Sequence, residues 1–234
     1  MAYDPPTRAV LKDSIRRALR DDGTVFSTDL LDDFINESLA DLSVVRPVET
    51  TITVPFDPTQ ITGLDPADYA NFIHVWMVEA RAAGSGYQTR IVIPFGQPGE
   101  YVERNGWDFY DETVVFSQWW FARLNELVNT TGAVTIFLWG YRNHHWPLDD
   151  ASVMDLQDSV DHLLVMRHIK ALGFQSLESD RSLYQQWLAA TNNTDVSPTQ
   201  LQGMRAQAEQ SYERLRKQVQ RPKRIPVTGI QYVS

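Results

Sequence analysis

The sequence of 234 residues contains no cysteine. Disulfides, thiolate metal sites and cysteine nucleophiles are therefore excluded, and this composition fits a reducing cytosol. No apolar run approaches the ~20 residues that span a bilayer. The first residues also lack the basic-then-apolar order of a signal peptide. We therefore expect a protein made in the cytoplasm, with no membrane association.

The sequence also lacks the common signatures of catalytic and nucleotide-binding sites. It has no G-x-S-x-G, no P-loop and no G-x-G-x-x-G. Acidic pairs occur at 32–33, 111–112 and 149–150, in polar contexts where we expect both carboxylates to stay ionised. The adjacent pair His144 and His145 points to opposite faces of a strand, so a turn with solvated side chains is expected there. The prediction is a protein that is not an enzyme and has no metal and no cofactor.

Charge is distributed unevenly along the chain. The formal net charge is −9. From Arg205 to the end, seven Lys/Arg and two Asp/Glu give +5, which leaves −14 for residues 1–204. An acidic body repels nucleic-acid phosphates. The basic end could attract phosphate, but it fits an acidic groove on another protein better.

Hydrophobic periodicity predicts an α+β fold. A helical bundle, with two N-terminal and two to three C-terminal helices, carries an inserted antiparallel β-sandwich or barrel. Five segments rich in β-branched and aromatic residues predict the strands, and WWFARLNELVN is ambiguous between strand and helix. The predicted boundaries are 1–48 for the N-terminal helical hairpin, 49–146 for the inserted β domain, 147–220 for the C-terminal helices and 221–234 for an extended docking tail.

Residue types at the helix ends predict where individual helices begin and stop. Gly23 suits a left-handed cap after the first helix, and Ser27 suits the N-cap of the second. We expect the next helix after the β block to end near Gly173, and Ser179 to cap the one that follows. Residues 197–200, SPTQ, have the spacing of a capping box with Pro at the first helical position.

Tryptophan is frequent in and beside the β block. Trp107, Trp119, Trp120, Trp139 and Trp146 all lie there. Aromatic platforms on a sheet can stack sugar rings, so a carbohydrate- or ligand-binding module is one function to consider. Aromatic residues also fill small cores and anchor interfaces, and that is the expectation for most of these.

The C-terminal segment RPKRIPVTGIQYVS has the character of a docking tail. Two prolines remove backbone donors and impose extended geometry. The remainder is apolar but too short to form a core, so it either frays or adds to a partner by strand addition or groove docking. The residues predicted to bind the partner are Arg221, Pro222, Lys223, Arg224, Ile225, Pro226, Val227, Ile230, Tyr232 and Val233.

This layout resembles the head–tail adaptor, or connector, proteins of tailed bacteriophages. The resemblance rests on three stretches. They are the N-terminal hairpin STDLLDDFINESLADL, the strand TTGAVTIFLWGYRN leaving the β block, and the C-terminal helices around DRSLYQQWL and YERLRKQ with the tail behind them.

The resemblance implies a structural protein of the virion neck. It implies a ring, typically of twelve copies, bound below the portal protein through the C-terminal segment. The β block would then face the downstream neck or tail protein, and DNA would pass through the lumen without sequence-specific binding. The large β block departs from smaller members of the family, so its role does not follow from the resemblance.

Overall fold

The computed structural model describes residues 3–59, 64, 72–82, 89–96, 106–110, 113–147, 149–190, 196–221, 224 and 231–232. Six helices and seven strands lie in these ranges. The helices are α1 (Arg8–Leu19), α2 (Thr28–Val45), α3 (Gln118–Thr131), α4 (Ser159–Ser179), α5 (Arg181–Ala190) and α6 (Pro198–Val219). The strands are β1 (Val48–Pro55), β2 (Phe72–Ala82), β3 (Thr89–Ile93), β4 (Trp107–Tyr110), β5 (Thr113–Phe116), β6 (Val134–Arg142) and β7 (Gln231–Tyr232). The predicted mixed α+β class is confirmed.

Contacts divide the chain into two compact units. The first contains Met1–Val48 and Asn143–Arg221, and the second contains Glu49–Arg142 and Pro222–Ser234. The first unit holds the five helices other than α3 and is called the helical unit here. The second holds α3 and the strands and is called the sheet unit.

The helical unit is built on one apolar core. Leu11, Ile15 and Leu19 of α1 are essentially fully buried and pack with the apolar faces of α2, α4, α5 and α6. The Trp187 indole of α5 donates a hydrogen bond of 2.8 Å to the carbonyl of Leu19. This bond satisfies one of the carbonyls left free at the end of α1.

Helix ends follow the predicted chemistry in part. Ser27 caps α2, and the capping box of α6 is present as predicted. The left-handed cap of α1 falls on Arg20, with φ 56°, rather than on Gly23. Asp180, not Ser179, accepts the first amides of α5, because α4 continues past Gly173 to Ser179. Asp180 is the better cap because its carboxylate lies one residue nearer the free N–H groups.

The sheet unit contains a five-stranded sheet with the order β1-β6-β2-β3-β7 and the separate hairpin β4-β5. β2 is antiparallel to both β6 and β3, and β7 is antiparallel to β3. Within the described ranges β1 and β7 end the sheet without pairing with each other, so the sheet is not closed into a barrel, which was one of the two predicted forms. The ambiguous stretch WWFARLNELVN is helical, and Ser117 caps it. Trp120 and Leu124 of this helix are buried in the core of the unit.

Candidate docking interface

The predicted docking residues are partly described by the structure. Arg221, Arg224 and the backbone of Tyr232 are placed, and they are taken in turn below. The other predicted docking residues lie outside the described residues: Pro222, Lys223, Ile225, Pro226, Val227, Ile230 and Val233.

Arg221 belongs to the helical unit and lies two residues after the end of α6. Its backbone N–H donates to the carbonyl of Val45 over 3.2 Å, and its guanidinium lies 3.6 Å from the Asp158 carboxylate. Asp158 also accepts from Arg46 at 2.6 Å and caps α4. Burial raises the pKa of Asp158, but hydrogen bonds from the α4 amides and the charges of Arg46 and Arg221 outweigh it and lower the pKa overall. Arg221 is therefore tied to the bundle.

Arg224 lies on the sheet unit in a small site made by three neighbouring strands. Its guanidinium is 4.6 Å from the ring centre of Trp76 and 3.3 Å from the Glu49 carboxylate. Its backbone N–H donates to the Tyr141 hydroxyl over 3.2 Å, and its carbonyl lies 3.3 Å from Nε2 of His74. The tail is therefore fixed at this point through both its side chain and its backbone.

The contacts at Arg224 are individually weak. The side chains of Arg224 and Glu49 are 54% and 43% exposed, and an ion pair in that setting contributes at most about 1 kcal/mol. A cation over an exposed aromatic ring adds about 0.5–1 kcal/mol. Such a site holds a basic residue reversibly.

Strand irregularity shapes this site. The register of the pairing between β2 and β6 shifts at two places. One shift lies between Phe72 and His74, and the other lies between Val75 and Met77. His74 and Trp76 therefore lie in the irregular part of β2. A Cβ on Gly140 of β6 would lie 2.4 Å from the His74 carbonyl oxygen. Only glycine allows this close approach, so Gly140 permits the bulge that presents His74 and Trp76.

The end of the tail joins the sheet. Gln231 and Tyr232 form β7 and pair with Val92 and Ile91 of β3. The segment that the sequence predicted to be too short to fold alone thus adds two residues to the edge of its own sheet. Pairing of this kind rests on main-chain hydrogen bonds, which do not depend on the side chains.

The residues around Arg224 were not predicted. Glu49, His74, Trp76 and Tyr141 lie on β1, β2 and β6, and only strand order brings them together. The one usable signal was the spacing of His74 and Trp76, two apart on a strand and so on one face.

The histidine pair differs from its prediction. His144 is 1% exposed, so the expectation of a turn with solvated side chains is wrong for it. Its Nε2 lies 2.9 Å from the carbonyl oxygen of Arg46, and its Nδ1 lies against that of Asp155. His145 is exposed as expected. The described residues contain no group of three or more His, Asp or Glu placed to hold a metal.

Two members of the acidic pairs, Asp32 and Asp150, are bound by basic side chains. Asp32 accepts from Lys12 and Arg8, at 2.8 and 2.7 Å. Burial raises the pKa of Asp32, but these hydrogen bonds and charges outweigh it and lower the pKa overall. A general acid needs the opposite shift. Asp150 is bound to Lys12, and the pair at 111–112 lies outside the described residues.

The tryptophans divide between core and surface. Trp107 and Trp120 are 0% and 3% exposed, and they belong to the core of the sheet unit. Trp119 is 53% exposed and Trp146 is 49% exposed. Trp139 lies 6.2 Å from Trp76, centre to centre. Two of the five are thus unavailable to stack a ligand.

No helix among the described residues is both long and apolar enough to cross a membrane. In comparisons of the sequence with models of protein families and with curated proteins, no match was found.

Proposed function

We propose that this protein is a structural adaptor in the neck of a tailed bacteriophage. Copies form a ring below the portal protein, the C-terminal segment docks on the portal, and DNA passes through the ring to the tail. The observation that carries the proposal is the attachment of that segment. In the described residues it touches the sheet unit through exposed Arg224 and a two-residue strand. Contacts of this kind exchange readily for those of a partner.

The charge distribution supports the same function. Residues 1–204 carry a net charge of −14 and residues 205–234 carry +5, which gives the total of −9. An acidic ring lets DNA slide without adhering, because like charges repel and no counterions are released on contact. The basic end matches acidic groups on a protein partner. The downstream neck or tail protein is the second partner of this proposal, and the virion neck is its location.

Capture from infected cells tests the proposal. The protein, tagged at its N-terminus, is purified from a lysate of phage-infected host cells and imaged by electron microscopy. We expect a ring stacked on a second ring or on a capsid vertex. A protein recovered without any ring or capsid after a full infection cycle would contradict the adaptor function.

A matched pair of variants ties the capture to the tail. Arg224→Gln removes the guanidinium that lies over Trp76, whereas Arg214→Gln changes an exposed arginine of α6. We expect the first to lower the yield of captured rings severalfold and the second to leave it unchanged. Equal yields would show that the basic charge of Arg224 has no part in docking.

A carbohydrate-binding module is the second candidate. Trp119 favours it, because this indole is 53% exposed and lies edge-to-face on Trp120. Exposed aromatic rings stack on sugars and also anchor protein interfaces. Saturable glycan binding by a monomer, lost in Trp119→Ala, would favour this module over the adaptor.

A further inference from the structure

A cationic cleft lies in the helical unit, against α4 and α6. Its volume is about 500 Å³, and its lining includes Arg20, Arg167 and Lys170 but no carboxylate. In the described part of the chain none of these three cations forms an ion pair. Arg167 instead donates to the carbonyl of Ser211 over 3.0 Å. In an acidic protein, three unpaired cations around one cleft mark a place for an anionic partner.

An acidic stripe runs along α2 of the same unit. Asp29, Asp33 and Glu37 are exposed and four residues apart, so they share one face of the helix. The next residue in the row, Asp41, is paired with Arg216 at 3.3 Å. The first three have no ion-pair partner among the described residues, and like charges at this spacing repel one another. The stripe therefore lacks, within its own copy, the cations that would stabilise it.

The cleft and the stripe face different sides of α6. Gln207 lines the cleft, whereas Arg216 reaches the α2 row through Asp41. At about 100° per residue, Arg216 lies roughly 120–140° around the helix from Met204 and Ser211, which also line the cleft. The same holds on α4, where Lys170 lines the cleft and His168 stacks on Tyr212, the partner of Asp41. One copy therefore cannot bring its own stripe into its own cleft.

We infer that the acidic stripe of one copy binds the cationic cleft of the next copy. This inference rests on the proposed ring and names its contact. Two different patches that meet head to tail make a heterologous interface, and such an interface closes into a ring when the rotation fits.

The dimensions of the two patches agree. The stripe spans nine residues of helix, about 12 Å from Asp29 to Glu37 at a rise of 1.5 Å per residue. The cleft is lined along α4 from Arg167 to Phe174 and along α6 from Met204 to Ser211. Each of these lengths is about 10 Å by the same rise. Duplex DNA is a poorer occupant, because the helical unit, residues 1–48 and 143–221, carries 14 Lys/Arg and 19 Asp/Glu, a net charge of −5, and repels phosphates.

Charge reversal tests the contact. The cleft variant carries Arg20→Glu and Lys170→Glu, and the stripe variant carries Asp33→Lys and Glu37→Lys. Either variant on its own places like charges on both sides of every contact between copies. We therefore expect the association constant measured by sedimentation at low salt to fall at least tenfold. In an equal mixture of the two variants, each unchanged stripe can meet an unchanged cleft, and each reversed stripe can meet a reversed cleft. We therefore expect self-association to recover in the mixture.

A matched control has the same change in charge at another place. Arg181→Glu with Lys217→Glu alters two exposed cations of α5 and α6 that do not line the cleft. We expect self-association like that of the wild type. Equal loss in this control, or no recovery in the mixture, would overturn the contact.

The absence of cysteine allows a second, direct test. Asp33→Cys and Lys170→Cys are made as separate chains and oxidised alone and together. We expect disulfide-linked dimers only in the mixture, and a ladder of larger species when both changes are in one chain. Homodimers of a single variant, no cross-link at all, or binding of a short DNA duplex that Lys170→Glu abolishes would overturn it.

The two proposals fail separately. Captured rings without the cross-link between positions 33 and 170 would reject this contact and leave the adaptor function standing. Cross-linked ladders from a protein that never captures a portal or capsid would support the contact between copies and reject the neck.

Discussion

His168 is a titratable group whose surroundings favour its neutral form. Its ring stacks on Tyr212, with centres 4.5 Å apart and an angle of 18° between the rings. Burial lowers the pKa of His168 below its ordinary 6.5, although the charges of Asp41 and Glu37 oppose the shift. Between the unfolded and folded pKa values the unfolded chain therefore binds more protons. The free energy of unfolding falls as pH decreases through this window.

Replacing His168 by phenylalanine should weaken this pH dependence. Phe keeps a ring against Tyr212 but does not titrate. We expect the loss of stability between about pH 7 and pH 5 to become shallower in His168→Phe, as measured by urea unfolding at a series of pH values. Some dependence should persist, because burial also lowers the pKa of His162. Parallel curves for the variant and the wild type would show that His168 has the same pKa in both states.

His144 and His145 offer a matched comparison of a buried and an exposed ring. His144→Ala leaves the carbonyl oxygens of Arg46 and Asp155 without their ring partner. A buried acceptor left unsatisfied costs about 1–3 kcal/mol, so we expect a loss of about 2–4 kcal/mol in unfolding free energy. For His145→Ala we expect less than about 0.5 kcal/mol. Similar losses at both positions in denaturant titrations would contradict this assignment.

Alanine substitution at two glycines in different elements should change the stability of the protein in opposite directions. In β6, a Cβ on Gly140 would lie 2.4 Å from the His74 carbonyl oxygen and 2.5 Å from the Phe72 ring. In α6, a Cβ on Gly203 meets no atom within 4 Å. We expect Gly140→Ala to destabilise by at least about 1–3 kcal/mol through overpacking. We expect Gly203→Ala to stabilise by about 0.5–1 kcal/mol. Melting curves of the two variants compare them directly, and a stable Gly140→Ala would mean that the bulge tolerates a side chain.

Helices could be predicted from this sequence more closely than the sheet, for a physical reason. A helix depends on residues within a few positions, so the capping box of α6 and the cap at Ser27 could be predicted directly. The choice between Ser179 and Asp180 as the cap of α5 depends on the residue at which α4 ends, and only the structure shows that this is Ser179.

Strands pair across long sequence separations. The five strand segments could be predicted, but their order, the open sheet and the hairpin β4-β5 could not. The docking tail shows the same limit. Its composition predicted an extended segment, while the site under Arg224 depends on β1, β2 and β6 being neighbours.

For the whole chain, removal of the tail should separate folding from assembly. The described tail contacts beyond Arg221 are those of Arg224 and β7, and all lie in the sheet unit. Deleting residues 222–234 should therefore lower the free energy of unfolding by about 1–2 kcal/mol, which corresponds to a fall of about 3–6 °C in melting temperature. Assembly with the partner should be abolished. Calorimetry and the capture experiment measure the two effects, and a truncated protein that unfolds would place the tail in the core.

The division of the helical unit between Met1–Val48 and Asn143–Arg221 sets an order of events during translation. α1 and α2 leave the ribosome first, but α4, α5 and α6, which cover Leu11, Ile15 and Leu19, are encoded after residues 49–142 of the sheet unit. At about 5–20 residues per second, the residues 49–142 take roughly 5–20 s to synthesise. Throughout that interval the apolar faces of the first two helices lack their native cover. The nascent chain is then a substrate for chaperones that bind such faces, until α4, α5 and α6 have been made.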